Sequence, residues 1–314
     1  MRLRITTEPQ LGSSYSDILG LARAAEYWKF DGFFRSDHYM MNYGDRPAPP
    51  GPSDAWITLA GLARETSSIR LGTLVTPVTF RHPGPLAVAV AQVDAMSGGR
   101  IELGLGSGWF EREHAGYGIP FPSVEERFDR LEELLRILNA WWSTDWGGTF
   151  DHRGQYFDLV GCPALPQPVQ GHVPIILGGW GRHRTPLLAA SFADEYNLAF
   201  GTPGACREQY DRVLAACDVV GRDPTGLRWS TVVTICCGED GPTQVRRAAL
   251  AGWDPVRLRS LPGRIIGTTD EVTERLVEYW DAGVDTVYLQ ILDMGDLEHL
   301  ALLGQEVAPR VSAI

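Results

Sequence analysis

Short apolar runs alternate with longer segments of helical periodicity from one end of the chain to the other, in eight successive pairs. This alternation is typical of a parallel sheet whose strands are joined by crossover helices. The predicted strands span residues 3–7, 32–36, 69–76, 100–106, 175–177, 195–200, 227–237 and 286–292. The predicted helices span residues 17–28, 54–66, 83–96, 123–142, 185–193, 205–219, 271–282 and 296–311.

Eight strands in this rhythm predict an α/β fold of the TIM (β/α)8 type, a closed barrel, with a doubly wound open sheet as the alternative. A region rich in Gly, Pro and aromatic residues at 144–174 interrupts the rhythm after the fourth βα unit. It is predicted to be an insertion, with a hairpin at 150–159. No Ser/Gly-rich or highly charged linker divides the chain, so residues 1–314 are predicted to form a single domain.

The charge balance narrows the classes of partner. A formal net charge of −11 argues against a nucleic-acid surface, because phosphate binding needs a concentrated basic face. The five cysteines lack CxxC spacing, which favours reduced thiols, and the opening MRLRITTEPQ shows neither a signal peptide nor a membrane span. We therefore expect a cytoplasmic enzyme acting on a small molecule, with neither a membrane nor a nucleic acid as partner.

The fifth predicted strand runs into the segment IILGGWGRHRTP at 175–186. In a TIM barrel the active site is built at the carboxyl ends of the strands. Glycines at such a turn let backbone N–H groups approach an anion, the next helix adds partial positive charge, and an arginine adds a bidentate donor. A phosphate cradle is therefore predicted at Gly178, Gly179, Trp180, Gly181 and Arg182. A tight turn with solvated arginines is the structural alternative.

Two nucleotide-binding signatures are missing from the sequence. Gly104-x-Gly106-x-Gly108 lacks the correct third glycine of the dinucleotide fingerprint, and no GK[ST] sequence marks a Walker loop. Among phosphate-containing ligands, this leaves a molecule with a phosphate ester, such as a flavin, as the candidate. After the second strand, Asp37 and His38 place a carboxylate beside an imidazole suited to proton transfer, although a purely structural His-Asp pair is the common alternative. No metal-ligand spacing or nucleophile motif accompanies them.

Taken together, five segments resemble the luciferase-like monooxygenase superfamily, and specifically its branch that depends on the deazaflavin coenzyme F420. They are FDGFFRSDHY (30–39), TSSIRLGTLVTPVTFRHP (66–83), DAMSGGRIELGLGSGWFEREHAGYGIPFP (94–122), ILGGWGRHRTPLLAASFADEYN (176–197) and DAGVDTVYL (281–289). The similarity covers nearly the whole chain. It implies a TIM barrel with an insertion, a flavin-like ring in the barrel mouth and a homodimer.

The resemblance also implies roles for individual residues. Asp37 and His38 would lie near the deazaflavin ring, with His38 a candidate to hydrogen-bond the substrate or to pass a proton. The Thr73–Leu74 bond matches a position where family members often carry a non-prolyl cis peptide. The segment that would form a bulge behind the ring is Thr73, Leu74, Val75 and Thr76.

The third predicted cofactor segment is Gly106, Ser107, Gly108 and Trp109, which would line the ring or the ribityl chain. Residues 178–182 would then receive the cofactor phosphate. Trp109 marks a departure, because sugar-phosphate dehydrogenases of this branch carry a glutamate there and use lysines for the substrate phosphate. Neither feature is present, so the substrate is expected to be small and largely uncharged.

The sequence therefore predicts an F420-dependent oxidoreductase that transfers a hydride between the reduced deazaflavin and an organic substrate. One alternative is an FMNH2-dependent monooxygenase that uses O2 and draws its FMN from a separate flavin reductase. A further alternative, from another functional class, is a non-catalytic flavin-binding protein.

Overall fold

The computed structural model describes residues 1–40, 50–249 and 255–314. Eleven strands lie within these ranges, and eight of them close into a parallel barrel. The strands are β1 (Arg2–Thr7), β2 (Gly32–Arg35), β3 (Arg70–Pro77), β4 (Ile101–Gly106), β5 (Phe150–Arg153), β6 (Asp158–Cys162), β7 (Ile175–Gly178), β8 (Glu195–Ala199), β9 (Arg228–Cys237), β10 (Arg264–Gly267) and β11 (Thr286–Ile291).

Helices connect the strands and cover the outside of the barrel. Those in the described ranges are α1 (Tyr15–Tyr27), α2 (Ala55–Glu65), α3 (Pro83–Ser97), α4 (Glu111–Gly116), α5 (Val124–Ser143), α6 (Arg184–Phe192), α7 (Pro203–Val220), α8 (Gly241–Ala249), α9 (Pro255–Ser260), α10 (Thr269–Asp281), α11 (Leu297–Leu302) and α12 (Ala308–Ser312). None of these helices is long and apolar enough to cross a bilayer.

The barrel strands follow one another in the circular order β1-β2-β3-β4-β7-β8-β9-β11, and β11 pairs again with β1. All of these pairings are parallel. The predicted TIM barrel is therefore confirmed, and the open-sheet alternative is wrong. In this order β7 stands across the barrel from β1, which places the glycine turn after β7 and the loop after β1 on opposite sides of the mouth.

Side chains alternate between the two faces of each strand, so one face meets the helices and the other fills the barrel. Ile5 and Phe33 point outward into the main core between strands and helices. Phe34 and Tyr288 point inward and pack edge to face, with ring centroids 5.0 Å apart. The barrel is thus a packed core, and in barrels of this type the active site is built at the carboxyl ends of the strands.

A buried charged network closes the amino-terminal end of the barrel. Arg4 is fully buried and its guanidinium donates to both carboxylate oxygens of Glu102, at 2.7 and 3.0 Å. The same guanidinium donates to the hydroxyl of Tyr288, which in turn donates to Glu195 at 2.7 Å. These charges are paired within the barrel, so the network ties β1, β4, β8 and β11 together at this end.

Several elements differ from the sequence prediction. The insertion contains the predicted hairpin, formed by β5 and β6. The short strand β10 was missed; it pairs with β9 at Thr234–Cys237, beyond the point where β8 ends. The helix predicted at 296–311 is divided into α11, a π-helical turn at Leu303–Val307, and α12. The helices α4, α8 and α9 were also missed.

Candidate active site

His38 lies in the mouth of the barrel, in the loop that follows β2. Its Nδ1 is 2.8 Å from Oε2 of Glu113, a fully buried carboxylate on α4. The other oxygen of Glu113 accepts hydrogen bonds from the backbone N–H groups of Tyr39, at 2.6 Å, and Met40, at 2.8 Å. Glu113 therefore fixes both the imidazole and the loop that carries it.

The pairing with Glu113 favours the charged form of His38. Burial would lower the pKa of His38, but the hydrogen bond with Glu113 and its negative charge raise that pKa above its ordinary value. For Glu113, burial would raise the pKa, whereas His38 and the two backbone N–H groups lower it. The Nε2 of His38 makes no hydrogen bond with any described residue, and 18% of the side chain is exposed. This nitrogen is free to exchange a proton with a ligand.

Asp37 has a different partner from the one expected. It is fully buried, and its Oδ2 accepts from the hydroxyl of Thr76 at 2.8 Å and from Arg81 at 2.5 Å. Arg81 also pairs with Asp54 on the far side of the guanidinium. Neighbouring residues after a strand point in different directions, so Asp37 holds the β3 loop while His38 faces the mouth.

The predicted bulge lies in β3, where its pairing with β4 shifts register between Thr73 and Thr76. The cis peptide bond is Leu74–Val75, one bond later than the predicted Thr73–Leu74 position. Thr73 and Thr76 are buried, whereas Leu74 and Val75 are half-buried and are the part of the segment that reaches the mouth. Of the four predicted residues, these two are the ones with exposed surface.

Glycines of β4 make room for this bulge. A Cβ on Gly104 would lie 2.1 Å from the carbonyl oxygen of Thr73, and one on Gly106 would lie 2.9 Å from the side chain of Val75. Real Cβ atoms do not approach other atoms this closely. The glycines at these two positions therefore let the β3 bulge pack directly against β4.

The loop after β4 carries an exposed aromatic surface. Gly108 has a positive φ of 80°, which turns the chain outward, and the next residue, Trp109, is 58% exposed. The Trp109 ring stacks on Phe110 with centroids 5.1 Å apart and meets the His38 imidazole edge to face at 5.6 Å. The loop thus places a flat apolar surface beside His38.

Side chains from neighbouring elements donate hydrogen bonds to the carbonyl groups of the turn after β7. The hydroxyl of Tyr196 donates to the carbonyl of Gly179 at 2.5 Å, and the amide of Gln209 donates to that of Gly181 at 2.7 Å. Trp180 donates its indole N–H to Ala199 at 3.1 Å, yet 55% of its side chain is exposed. The backbone N–H groups of residues 180–183, in contrast, make no hydrogen bond with the described part of the chain.

Two arginines follow this turn, and only one is available to a ligand. Arg184 donates to Asp129 at 2.5 Å and to the backbone of Glu125 at 3.1 Å. Arg182 is exposed and has no partner among the described residues. A small cleft lies next to the turn and is lined in part by Ser107, Gly178 and Thr185, so the loop after β4 and the turn after β7 meet there.

The predicted residues occupy four neighbouring strand ends, those of β2, β3, β4 and β7. The structure brings His38 together with Trp109, and Ser107 together with Gly178. Asp37 makes no hydrogen bond with His38 and binds Thr76 and Arg81 instead. The main residue that sequence reasoning missed is Glu113, which follows Trp109 within WFEREH but lies 75 positions from His38.

A family model described as luciferase-like monooxygenase matches residues 2–264. The chain belongs to the luciferase-like monooxygenase family. This membership confirms the resemblance to that superfamily and the prediction of an oxidoreductase.

Relatives of this luciferase-like chain include F420-dependent enzymes. An F420-dependent glucose-6-phosphate dehydrogenase of Microbacterium testaceum is 28% identical over 328 residues, covering 94% of this chain and 93% of the relative. An F420-dependent secondary alcohol dehydrogenase, solved with an F420–acetone adduct, has a TM-score of 0.83 at 20% identity and covers 99% of this chain and 98% of its own.

A monooxygenase has a similar fold. The EDTA monooxygenase from Chelativorans sp. BNC1 has a TM-score of 0.82 at 19% identity, covering all of this chain and 94% of its own. At such identities the two structures establish the fold alone, and the family assignment rests on the sequence match.

Proposed function

We propose that this protein is an F420-dependent oxidoreductase that moves a hydride between the deazaflavin and a small, largely uncharged organic substrate. The observation that carries the proposal is that neighbouring strand ends hold an imidazole paired with Glu113 and a glycine turn whose N–H groups make no hydrogen bond with the described residues. The F420-dependent relatives support the choice of cofactor.

The residues present fit a flavin-like cofactor with a phosphate. The N–H groups of residues 180–183 and the guanidinium of Arg182, which have no partner among the described residues, are donors that suit a phosphate at a strand-to-helix turn. Ser107 would face the tail of the cofactor across the cleft, and Leu74 and Val75 would support the ring from behind. Bound F420 would supply the carbon that accepts or donates the hydride.

The protein's contribution to the reaction would centre on His38. As the neutral imidazole, its Nε2 would accept the hydroxyl proton of an alcohol substrate during oxidation; as the imidazolium, it would return that proton to a carbonyl oxygen in the reverse direction. Glu113 stabilises the charged form throughout. Trp109 and Phe110 would exclude water from one side of the imidazole.

The charges at the mouth favour a substrate without phosphate. Arg81 is already paired with Asp37 and Asp54, and His38 is paired with Glu113. Arg182 is assigned to the cofactor. The exposed Trp109 adds apolar surface instead of the charge that a sugar phosphate requires.

The test is a fluorescence titration of the purified protein with F420 and with FMN, each oxidised and reduced. We expect micromolar binding of F420 that weakens at least ~10-fold in Arg182→Ala, because a bidentate phosphate contact is lost. Arg136→Ala is the control, since Arg136 is an exposed arginine that pairs with Glu132 within α5. Failure to bind either cofactor would overturn the proposal.

The second candidate is an FMNH2-dependent monooxygenase, which the description of the family favours. An anion cradle accepts the phosphate monoester of FMN as readily as a diester. Preferential binding of reduced FMN in the titration would favour this candidate and imply a separate flavin reductase as partner.

A further inference from the structure

A second polar cluster lies at the mouth, after β1, on the side opposite the glycine turn of β7. Its centre is Glu8, the first residue beyond β1. Oε2 of Glu8 accepts from the amide nitrogen of Gln10 at 2.6 Å, and Oε1 accepts from the amide nitrogen of Gln290, on β11, at 2.9 Å. Two carboxamides therefore hold the carboxylate from either side.

Each carboxamide is itself fixed by a hydroxyl group. Ser36 donates to Oε1 of Gln10 at 2.8 Å, and Thr234 donates to Oε1 of Gln290 at 2.6 Å. Because the amide oxygens are engaged in this way, both NH2 groups face Glu8. The four supporting side chains are at least 93% buried, whereas Glu8 is only partly buried. The buried groups thus present a carboxylate toward the mouth.

Glu8 makes no direct ion pair with a described residue, and the buried Arg35 acts on it only at a distance: burial lowers the pKa of Arg35, and the charge of Glu8 is among those that raise it. Among the residues the structure describes, no arginine, lysine or histidine lies within ion-pairing distance of it, in contrast to Asp37, Asp54 and Glu113. A carboxylate offers about four lone-pair sites, and the two amides use one on each oxygen. The negative charge of Glu8 is among the causes that raise the pKa of His38, so both groups act on the same mouth.

We propose that Glu8 binds a hydrogen-bond donor of the substrate, a hydroxyl or amine group, and rejects anionic substrates. The inference rests on the proposed function, because it takes the mouth as the active site. With the cofactor phosphate held after β7, the loop after β1 lies on the opposite side of the mouth and next to the strand that carries His38. Glu8 is then a specificity residue, and Gln10 and Gln290 are positioning residues.

The experiment uses three probes that share a cyclohexyl ring and differ in charge: cyclohexylmethanol, cyclohexylmethylamine and cyclohexanecarboxylate. Their dissociation constants are measured with and without F420. We expect the wild-type protein to bind the alcohol and the amine at least ~10-fold more tightly than the carboxylate, because like charges repel at a partly buried site. In Glu8→Gln the difference should shrink to about 3-fold or less.

Glu274→Gln is the matched control, since Glu274 is an exposed glutamate on α10. Gln290→Leu is a second variant, which removes one positioning amide and should also reduce the discrimination. Thermal unfolding and the F420 titration are recorded for every variant. A role of Glu8 confined to folding would lower the melting temperature and leave the discrimination unchanged.

Three results would overturn the proposal: equal binding of the three probes by the wild type, unchanged discrimination in Glu8→Gln, or no binding of any probe. Each can occur in a protein that binds F420, and in that case the proposed function stands. Conversely, discrimination that depends on Glu8 in a protein that binds no F420 would contradict the proposed function and leave the specificity of Glu8 intact.

Discussion

At the scale of single residues, Glu113 controls both the position and the proton affinity of His38. One of its carboxylate oxygens binds the imidazole, and the other binds the backbone of the same loop. This contact spans 75 positions of sequence, and hydrophobic periodicity carries no signal for it. The identity of the partner depends on how α4 packs against the loop after β2.

Replacing Glu113 by Gln is expected to lower the pKa of His38. The hydrogen bond and charge of Glu113 raise this pKa while burial lowers it, so loss of the charge leaves burial dominant. The imidazolium is then lost at a lower pH, and the pH–rate profile of substrate oxidation shifts toward acid. NMR titration of the His38 ring protons measures the change without any substrate. An unchanged or higher pKa would show that Glu113 does not set the charge of His38.

Replacing Asp37 by Asn should act mainly on stability. Arg81 would lose one of its two carboxylate partners at a site where the Asp37 side chain is fully buried, at a cost of about 2–3 kcal/mol in the free energy of unfolding. Denaturant unfolding measures this cost. Full stability together with complete loss of turnover would instead support the direct catalytic role expected from the sequence.

At the scale of elements, the glycine turn after β7 combines tight packing with N–H groups that make no hydrogen bond with the residues the structure describes. Gly178 lies against β8, where a Cβ would stand 2.1 Å from the carbonyl oxygen of Asn197. The backbone must move to accept any side chain there. Because that movement displaces residues 179–182, the geometry of the cradle depends on this glycine.

Gly178→Ala is therefore expected to weaken F420 binding at least ~10-fold and to lower the melting temperature. Gly204→Ala is the control, because Gly204 lies in α7 with no atom within 4 Å of the added Cβ, and alanine favours a helix. Fluorescence titration and thermal unfolding measure both effects. Equal F420 affinity in the two variants would contradict the role assigned to the turn.

The elements that were predicted from the sequence differ in length and position from those that were missed. The long apolar strand at 228–237 and the amphipathic helix at 124–143 have patterns that extend over many residues, and both were predicted closely. The strand β10 has four residues and pairs with β9 only beyond the end of β8. This pairing depends on tertiary structure, which the local sequence pattern does not show. The helix α4 has six residues directly after a glycine-rich loop, too few to establish a period.

At the scale of the whole molecule, the barrel separates stability from chemistry along its axis. Arg4, Glu102 and Glu195 close the amino-terminal end with paired charges. The carboxyl ends carry the residues that remain open to a ligand: Nε2 of His38, the guanidinium of Arg182 and the ring of Trp109. The order of the strands was predictable from the βα rhythm, and with it the side of the barrel that holds the site.

The central claim is that this mouth supports F420-linked hydride transfer with His38 as the proton-transfer group. The direct measurement is the anaerobic reduction of oxidised F420 by a panel of neutral alcohols, comparing the wild type with His38→Asn, whose amide can still contact Glu113. F420 binding is recorded on the same samples. The account predicts reduction by the wild type, a rate about 100-fold lower in His38→Asn, and equal F420 affinity. Equal rates in the two proteins, or no reduction of bound F420 by any alcohol in the panel, would contradict it.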